Sequence, residues 1–246
     1  MAGHSKWTQI KRKKGALDKQ RGKVISKHVR AIQSAVRTGN SGDPSVNLPL
    51  RNALSAAKSD NVPVDNIDRA IERALGGGEG GNFEPAFYEG YGPAGVAMLV
   101  ETLTDNKNRT AGEVRHVFTK HGGNMSGSTA WQFDTKGMIT VEDTSSAVED
   151  AAIELGADDL EVDDGVSVIY TPAAELYAIV EGLQARELPV DVVQLTKLPQ
   201  TQTVLSAAES RKVITFLEAL EDLDDVQNVY TTADLSDVED DVDAVG

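Results

Sequence analysis

Residues 138–195 read MITVEDTSSAVEDAAIELGADDLEVDDGVSVIYTPAAELYAIVEGLQARELPVDVVQL, and the order of apolar patterns within them decides the fold. Met138 to Val141 is a short apolar run of strand length, and Ala147 to Leu155 carries helical spacing. Leu160 to Val162 and Val166 to Tyr170 form two β-rich runs across Asp163-Asp164-Gly165, a hairpin signature. Ala173 to Ala185 is helical again, and Val190 to Leu195 closes with a strand. That order, β-α-β-β-α-β, is the split βαβ arrangement of ferredoxin-like folds.

Working outward, Val96 to Thr102 predicts a buried strand, Arg109 to Lys120 a helix, and Thr129 to Phe133 a second strand. The helix turns Ala111, Val114, Val117 and Phe118 inward. Beyond the central block come a helix at Ser206 to Leu220 and a strand at Val226 to Tyr230. These two lack partners of their own and would complete the β-α-β of 96–133. The reading is therefore an insertion: 135–200 interrupts a domain built from 82–134 plus 201–235. Residues 236–246, with the acidic run Asp237 to Asp243, form a tail expected to be disordered.

Toward the N-terminus, Gly76-Gly77-Gly78-Glu79-Gly80-Gly81 reads as a linker that ends a first domain, 1–80. Within that domain, Val24, Ile25, Val29, Ile32, Ala35 and Val36 share one helical face, and Gly39 stops the helix. Leu48 to Ser59 predicts a second helix, and Asp65 starts a third through Leu75. Residues 1–21 read as a mobile arm. The fold class is α+β: an N-terminal three-helix bundle, then two α/β domains of ferredoxin-like character, one inserted in the other.

Charge is unevenly shared along the 246 residues. The net charge is −15, yet residues 1–37 hold 11 Lys/Arg against Asp18 alone, while 81–246 hold 9 basic and 32 acidic residues. A basic head on an acidic body is the footprint of polyanion binding. Cysteine is absent, which excludes disulfides and thiolate metal sites. No apolar run approaches membrane-span length, and the N-terminus lacks the apolar core of a secretory signal. The expectation is a soluble cytoplasmic chain without membrane contact.

Enzyme chemistry finds few parts. Gly90-Tyr91-Gly92-Pro93-Ala94-Gly95 spells GxGxxG, but it precedes a predicted strand where the dinucleotide mechanism needs it to open a helix, so a tight turn is expected. His116 and His121 are five apart, which does not stack them as ligands on a helix. No catalytic residue, metal or cofactor is expected. The candidates are nucleic-acid contacts: Lys6, Trp7, Lys11, Arg12, Lys13, Lys14, Lys19 and Arg21 in the arm, and Lys23, Lys27 and Arg30 on the first helix. Lysines and arginines would neutralise phosphates, and Trp7 would either stack on an unpaired base or anchor the bundle. Lys107 and Arg109, in the polar loop Thr104 to Thr110, would meet an anion at a helix N-terminus, or the loop simply caps that helix.

Longer motifs carry a family resemblance. The chain has Met-Ala-Gly-His-Ser-Lys-Trp at 1–7, Arg21-Gly22-Lys23, Ala56-Ala57-Lys58 and Asp65-Asn66-Ile67. It continues with Tyr88-Glu89-Gly90-Tyr91-Gly92-Pro93, Leu103-Thr104-Asp105-Asn106, Asn108-Arg109-Thr110 and Gly122-Gly123-Asn124. Together these resemble the YebC family over about residues 1–235. The resemblance implies three domains, no catalytic residues, and two activities. One is ribosome-associated assistance to translation elongation, for example at proline-rich stretches, through ribosomal RNA. The alternative is sequence-specific DNA binding in transcriptional regulation. A monomer is expected.

Overall fold

In the computed structural model, the described residues are 18–76, 83–163 and 165–235. Helix α1 (Asp18–Gly39) begins four residues earlier than the periodicity marked, so the last residues of the expected arm are helical. It ends because Asn40 takes φ 47°, the left-handed conformation that lets the Ser41 N–H reach back to the Val36 carbonyl. Helix α2 (Leu48–Ser59) and helix α3 (Val64–Leu75) complete the bundle. Their shared core is Ile32, Ala35, Val36, Leu50, Ala57, Val62, Ile67 and Ala70. Gly76 caps α3, and the remainder of the expected linker, like the acidic tail, lies outside the described residues.

The next element was not expected from sequence. Glu84–Tyr91 is a strand, β1, and it forms an antiparallel hairpin with β2 (Ala97–Thr104) across a 3-10 turn at Pro93–Gly95. Helix α4 (Lys107–Lys120) follows. Thr129 to Phe133, expected as a strand of this domain, is instead a 3-10 turn at Ala130–Gln132 running into a longer strand, β3 (Phe133–Val141). Ala130 of the turn and Phe133 at the start of β3 pack on the sheet face without joining its ladder, which gives the stretch its strand-like apolar pattern.

β3 opens the second sheet, followed by α5 (Ser146–Glu154), β4 (Asp159–Asp163), β5 (Val166–Pro172), α6 (Leu176–Gln184) and β6 (Val190–Pro199). Its strand order is β4-β5-β3-β6, which places the first strand centrally between the third and the fourth, as the split βαβ requires. Helices α5 and α6 bury Val148, Ala151, Leu176, Ile179 and Leu183 on Ile139, Val141 and Ile169.

The chain then returns to the first sheet with α7 (Ala207–Glu221) and β7 (Val226–Thr231). The sheet order is β1-β2-β7, so β7 pairs with β2 across the whole insertion. One face of this sheet packs on α4 and α7 through Met98, Val100, Val114, Phe118, Phe216, Leu217 and Val229. Phe118 and Phe216 meet edge-on at 5.0 Å and 86°, a geometry worth about 0.5–1.5 kcal/mol beyond area burial. The described chain resolves into two compact units: 18–21, 83–134 and 198–235 in one, and 22–76 with 135–197 in the other. Within the second unit, the Arg51 guanidinium lies 5.8 Å from the centroid of the Tyr177 ring, linking α2 to α6.

Candidate nucleic-acid interface

At about 100° per residue, Lys23, Lys27, Arg30 and Arg37 of α1 fall within one narrow stripe. Ile25, Val29, Ile32 and Val36 point the other way and form or touch the bundle core. Burial of the apolar stripe therefore turns the basic stripe outward. Lys23 is exposed, while Lys27, Arg30 and Arg37 are half-buried. Lys19 and Arg21 lie in the same helix, but their side chains are outside the description, as are Lys6, Trp7, Lys11, Arg12, Lys13 and Lys14 entirely.

Three contacts fix the scaffold under this stripe. Asn47 is 2% exposed; its Oδ1 accepts from the Leu50 N–H (3.1 Å), and its Nδ2 donates to the carbonyls of Ala35 (2.9 Å) and Ser41 (2.7 Å). One side chain thus caps α2 and ties it to the end of α1. Arg51 donates to the carbonyls of Pro44 and Ser45, each at 3.1 Å, closing the connecting loop. His28 Nε2 sits 2.6 Å from Asp60 Oδ2, pinning α1 to the end of α2.

The second group of candidates is arranged differently. At the corner between β2 and α4, Asn106 caps the helix by accepting from the Arg109 N–H (3.1 Å). Arg109 Nη2 donates to Asp105 Oδ1 at 2.8 Å and to Asp225 Oδ2 at 2.7 Å. The same Asp225 oxygen accepts from Thr110 Oγ1 (2.7 Å) and Thr104 Oγ1 (3.0 Å). Burial pushes the Asp225 carboxyl up, but the bonds from Thr110, Arg109 and Thr104 and the charge on Arg109 outweigh it and hold the group below its ordinary value. The bond to Asp225, then that to Asp105, holds the Arg109 guanidinium firmly protonated. Lys107 pairs with Glu84 at 2.7 Å, which raises the lysine and lowers the carboxylate.

The sequence pattern suggested that Lys107 and Arg109 turn toward an incoming anion. The structure turns both toward the chain's own carboxylates. The capping half of that reading describes the corner.

Sequence reasoning also missed a carboxylate that shapes the Gly-rich loop. Glu89 Oε2 accepts from Ser128 Oγ (2.8 Å) and from the N–H groups of Thr129 (2.6 Å) and Ala130 (2.7 Å). Those bonds, led by Ala130, hold Glu89 below the usual carboxylate range. At the other end of the loop, Tyr91 and Asn124 exchange two backbone bonds of 2.8 Å. The GxGxxG stretch ends β1 and makes the hairpin turn to β2, with Ala94 at φ 57° and Gly95 at φ 75°. Nothing in local spacing marks Glu89, because its partners lie about 40 residues away.

Comparison with known proteins matches the chain in two parts. The family described as "TACO1/YebC protein N-terminal domain" matches residues 5–77, and "TACO1/YebC second and third domain" matches 83–233. A probable transcriptional regulatory protein of Deinococcus radiodurans is 54% identical over 244 residues, covering 98% of this chain and 100% of its own. One from Thermus thermophilus is 54% identical over 224 residues, covering 90% and 91%. The crystal structure of a conserved hypothetical protein from Aquifex aeolicus matches with a TM-score of 0.80 at 44% identity, covering 88% of this chain and 91% of that one.

Proposed function

The chain belongs to the TACO1/YebC family, and from that premise we propose that it is a non-enzymatic nucleic-acid-binding regulator of gene expression. Its task on this reading is to contact ribosomal RNA and assist translation elongation, for example at proline-rich stretches. The observation that carries the proposal is charge segregation. Eleven Lys/Arg against one acid in residues 1–37 continue into the outward basic stripe of α1, while the rest of the chain is strongly acidic. An acidic body is repelled by RNA, so binding concentrates in the head and orients the molecule on its target.

The contacts proposed are Lys6, Trp7, Lys11, Arg12, Lys13, Lys14, Lys19 and Arg21, with Lys23, Lys27 and Arg30 on α1. Lys107 and Arg109 drop out, since carboxylates already match them. The protein acts in the cytoplasm as a monomer and without a cofactor. Co-sedimentation tests the reading: the protein should travel with ribosomes at low salt and leave them as salt rises. Absence from ribosomal fractions at low salt would overturn it.

A second reading is sequence-specific DNA binding in transcription. Its support is the description carried by the relatives, probable transcriptional regulatory proteins. It predicts that the protein prefers a promoter fragment to scrambled DNA at physiological salt; equal affinity for the two would remove it.

A further inference from the structure

Every Lys and Arg of residues 83–134 and 198–235 belongs to α4 or α7: Lys107, Arg109, Arg115, Lys120, Arg211 and Lys212. Both helices pack on one face of the β1-β2-β7 sheet. Strand alternation builds the opposite face from Phe87 and Glu89 of β1, Leu99 and Glu101 of β2, and Asn228 and Tyr230 of β7. None of these is basic. Ala130 covers one end of that face by packing on Leu99 and Tyr230, while Phe87 at the other end is 49% exposed.

The acids and rings here are held in place. Glu101 Oε2 accepts from Tyr230 Oη at 2.9 Å and from Asn228 Nδ2 at 3.0 Å. Glu89 binds Ser128, Thr129 and Ala130, and the turn it organises carries Trp131. The Trp131 Nε1 donates to the Ser128 carbonyl at 3.1 Å, which fixes the indole while leaving it 67% exposed. Groups already fixed lose little freedom when an occupant arrives.

β1 is also an outer strand of its sheet. Gly92 turns its N–H across the hairpin to the Val96 carbonyl, whereas Tyr91 turns its N–H and carbonyl the other way, to Asn124. By alternation Glu89 and Phe87 also present theirs outward. Among the described residues, no backbone bond reaches those outward groups. Pro85 has only a carbonyl to offer, so the open edge is short and ends there.

We propose that the β1 edge and this acidic face dock an extended, basic segment of a partner protein. The segment adds to the sheet beside β1, brings lysine or arginine within reach of Glu89 and Glu101, and lays an apolar side chain on Phe87. Main-chain bonds supply affinity, and every second side chain supplies specificity. Charge decides against other occupants. Nucleic acid would bring phosphates to carboxylates with no cation among these strand residues, and a second copy would set the same glutamates against each other. The acidic body thereby has a task of its own, separate from the basic head.

The probe is a short synthetic peptide of alternating lysine and valine with one phenylalanine, added to the full chain at low salt. Amide exchange is read residue by residue by NMR. Exchange should slow several-fold at Phe87 and Glu89, and the effect should weaken at about 1 M salt, where charges beyond roughly 3 Å are screened. The same peptide N-methylated at alternate residues cannot complete the ladder and should protect neither. Glu101→Gln keeps an acceptor for Tyr230 and Asn228 but removes the charge, and should weaken binding several-fold, as should Phe87→Ser. With a net charge of −15 the chain attracts any polycation, so protection spread over other acidic segments and equal in Glu101→Gln overturns the proposal. No protection of β1 up to roughly millimolar peptide overturns it as well. Protection of Phe87 and Glu89 by oligouridine would assign the face to RNA, and protection rising with protein concentration alone would assign it to a second copy; either overturns it.

Discussion

Arg109 Nη2 lies 2.7 Å from Asp225 Oδ2, joining the first turn of α4 to the residue before β7, 116 positions later. The carboxylate side chain is only 3% exposed, whereas the guanidinium side chain is 44% exposed. Removing the cation strands a buried charge; removing the carboxylate strands only a solvated one and two hydroxyls. Arg109→Met should therefore cost about 2 kcal/mol in denaturant unfolding, less than the ~3–5 kcal/mol of a fully buried pair because half of the arginine is in water. Nucleic-acid affinity should be unchanged by the same substitution, which filter binding checks.

Acid should act on the same contacts. Asp225 and Glu89 are both held below their ordinary carboxylate values in the folded protein. The unfolded chain then binds protons more readily, so the stability they contribute is full above the unfolded values and lost as pH falls through the folded ones. The melting temperature should be flat from neutral pH to about 5 and fall below about 4.5. Glu89→Gln should make that fall shallower, because an amide no longer titrates.

Glycines of the β1–β2 hairpin should separate by position. A Cβ at Gly90 would stand 2.3 Å from the Asn124 carbonyl oxygen, a backbone atom that cannot step aside without breaking the bridge to Tyr91. Gly90→Ala should cost about 2–3 kcal/mol. At Gly95 the space is open and only the positive φ resists, so Gly95→Ala should cost about 1 kcal/mol. Thermal melts of the two variants rank them, and the reverse order would mean the loop after α4 yields easily.

Asn47 should be the sensitive point of the helical bundle. Asn47→Ala removes the α2 cap and leaves the carbonyl of Ala35 without this donor, for about 2 kcal/mol. Hydrogen exchange should quicken in α1 and α2 and leave α4 unaffected.

Charge changes in the head should separate binding from folding. Reversing Lys11, Arg12, Lys13 and Lys14 to Glu should abolish nucleic-acid binding with an almost unchanged melting temperature. Replacing Lys23, Lys27 and Arg30 by Gln should flatten the salt dependence, by about 0.7 per lost phosphate contact on single strands and about 0.9 on duplex. A large loss of stability in the first variant would make the arm structural.

What could be read from sequence follows the range over which each signal acts. Helix α7 announces itself locally: Ser206 and Glu209 form a capping box, and the apolar residues after them keep helical period. The order β-α-β-β-α-β was legible for the same reason. β1 was not, because Glu84, Pro85, Glu89 and Gly90 give it weak alternation, and its place is fixed by β2 and by Asn124. Asp225 ends the stretch Glu221-Asp222-Leu223-Asp224-Asp225 with no local mark of its burial, because Thr104, Arg109 and Thr110, which cover it, lie more than 110 residues away. The basic stripe of α1 was visible because it needs only a helix and one apolar side.

The order in which the polypeptide emerges during synthesis gives the insertion a further meaning. β2 finds its neighbour β7 only after 135–197 has been made, and Gln200 comes back to lie beside Gln132 and Asp134 once that stretch is complete. The inserted domain closes on nearby partners, and its first and last strands, β3 and β6, are neighbours in the sheet. It should therefore fold early and bring positions 134 and 198 together, shortening the loop that the outer sheet must close. Until α7 arrives, β2 and α4 expose an apolar side, and the slow step in maturation should be the capture of residues 207–231 by a half-built sheet.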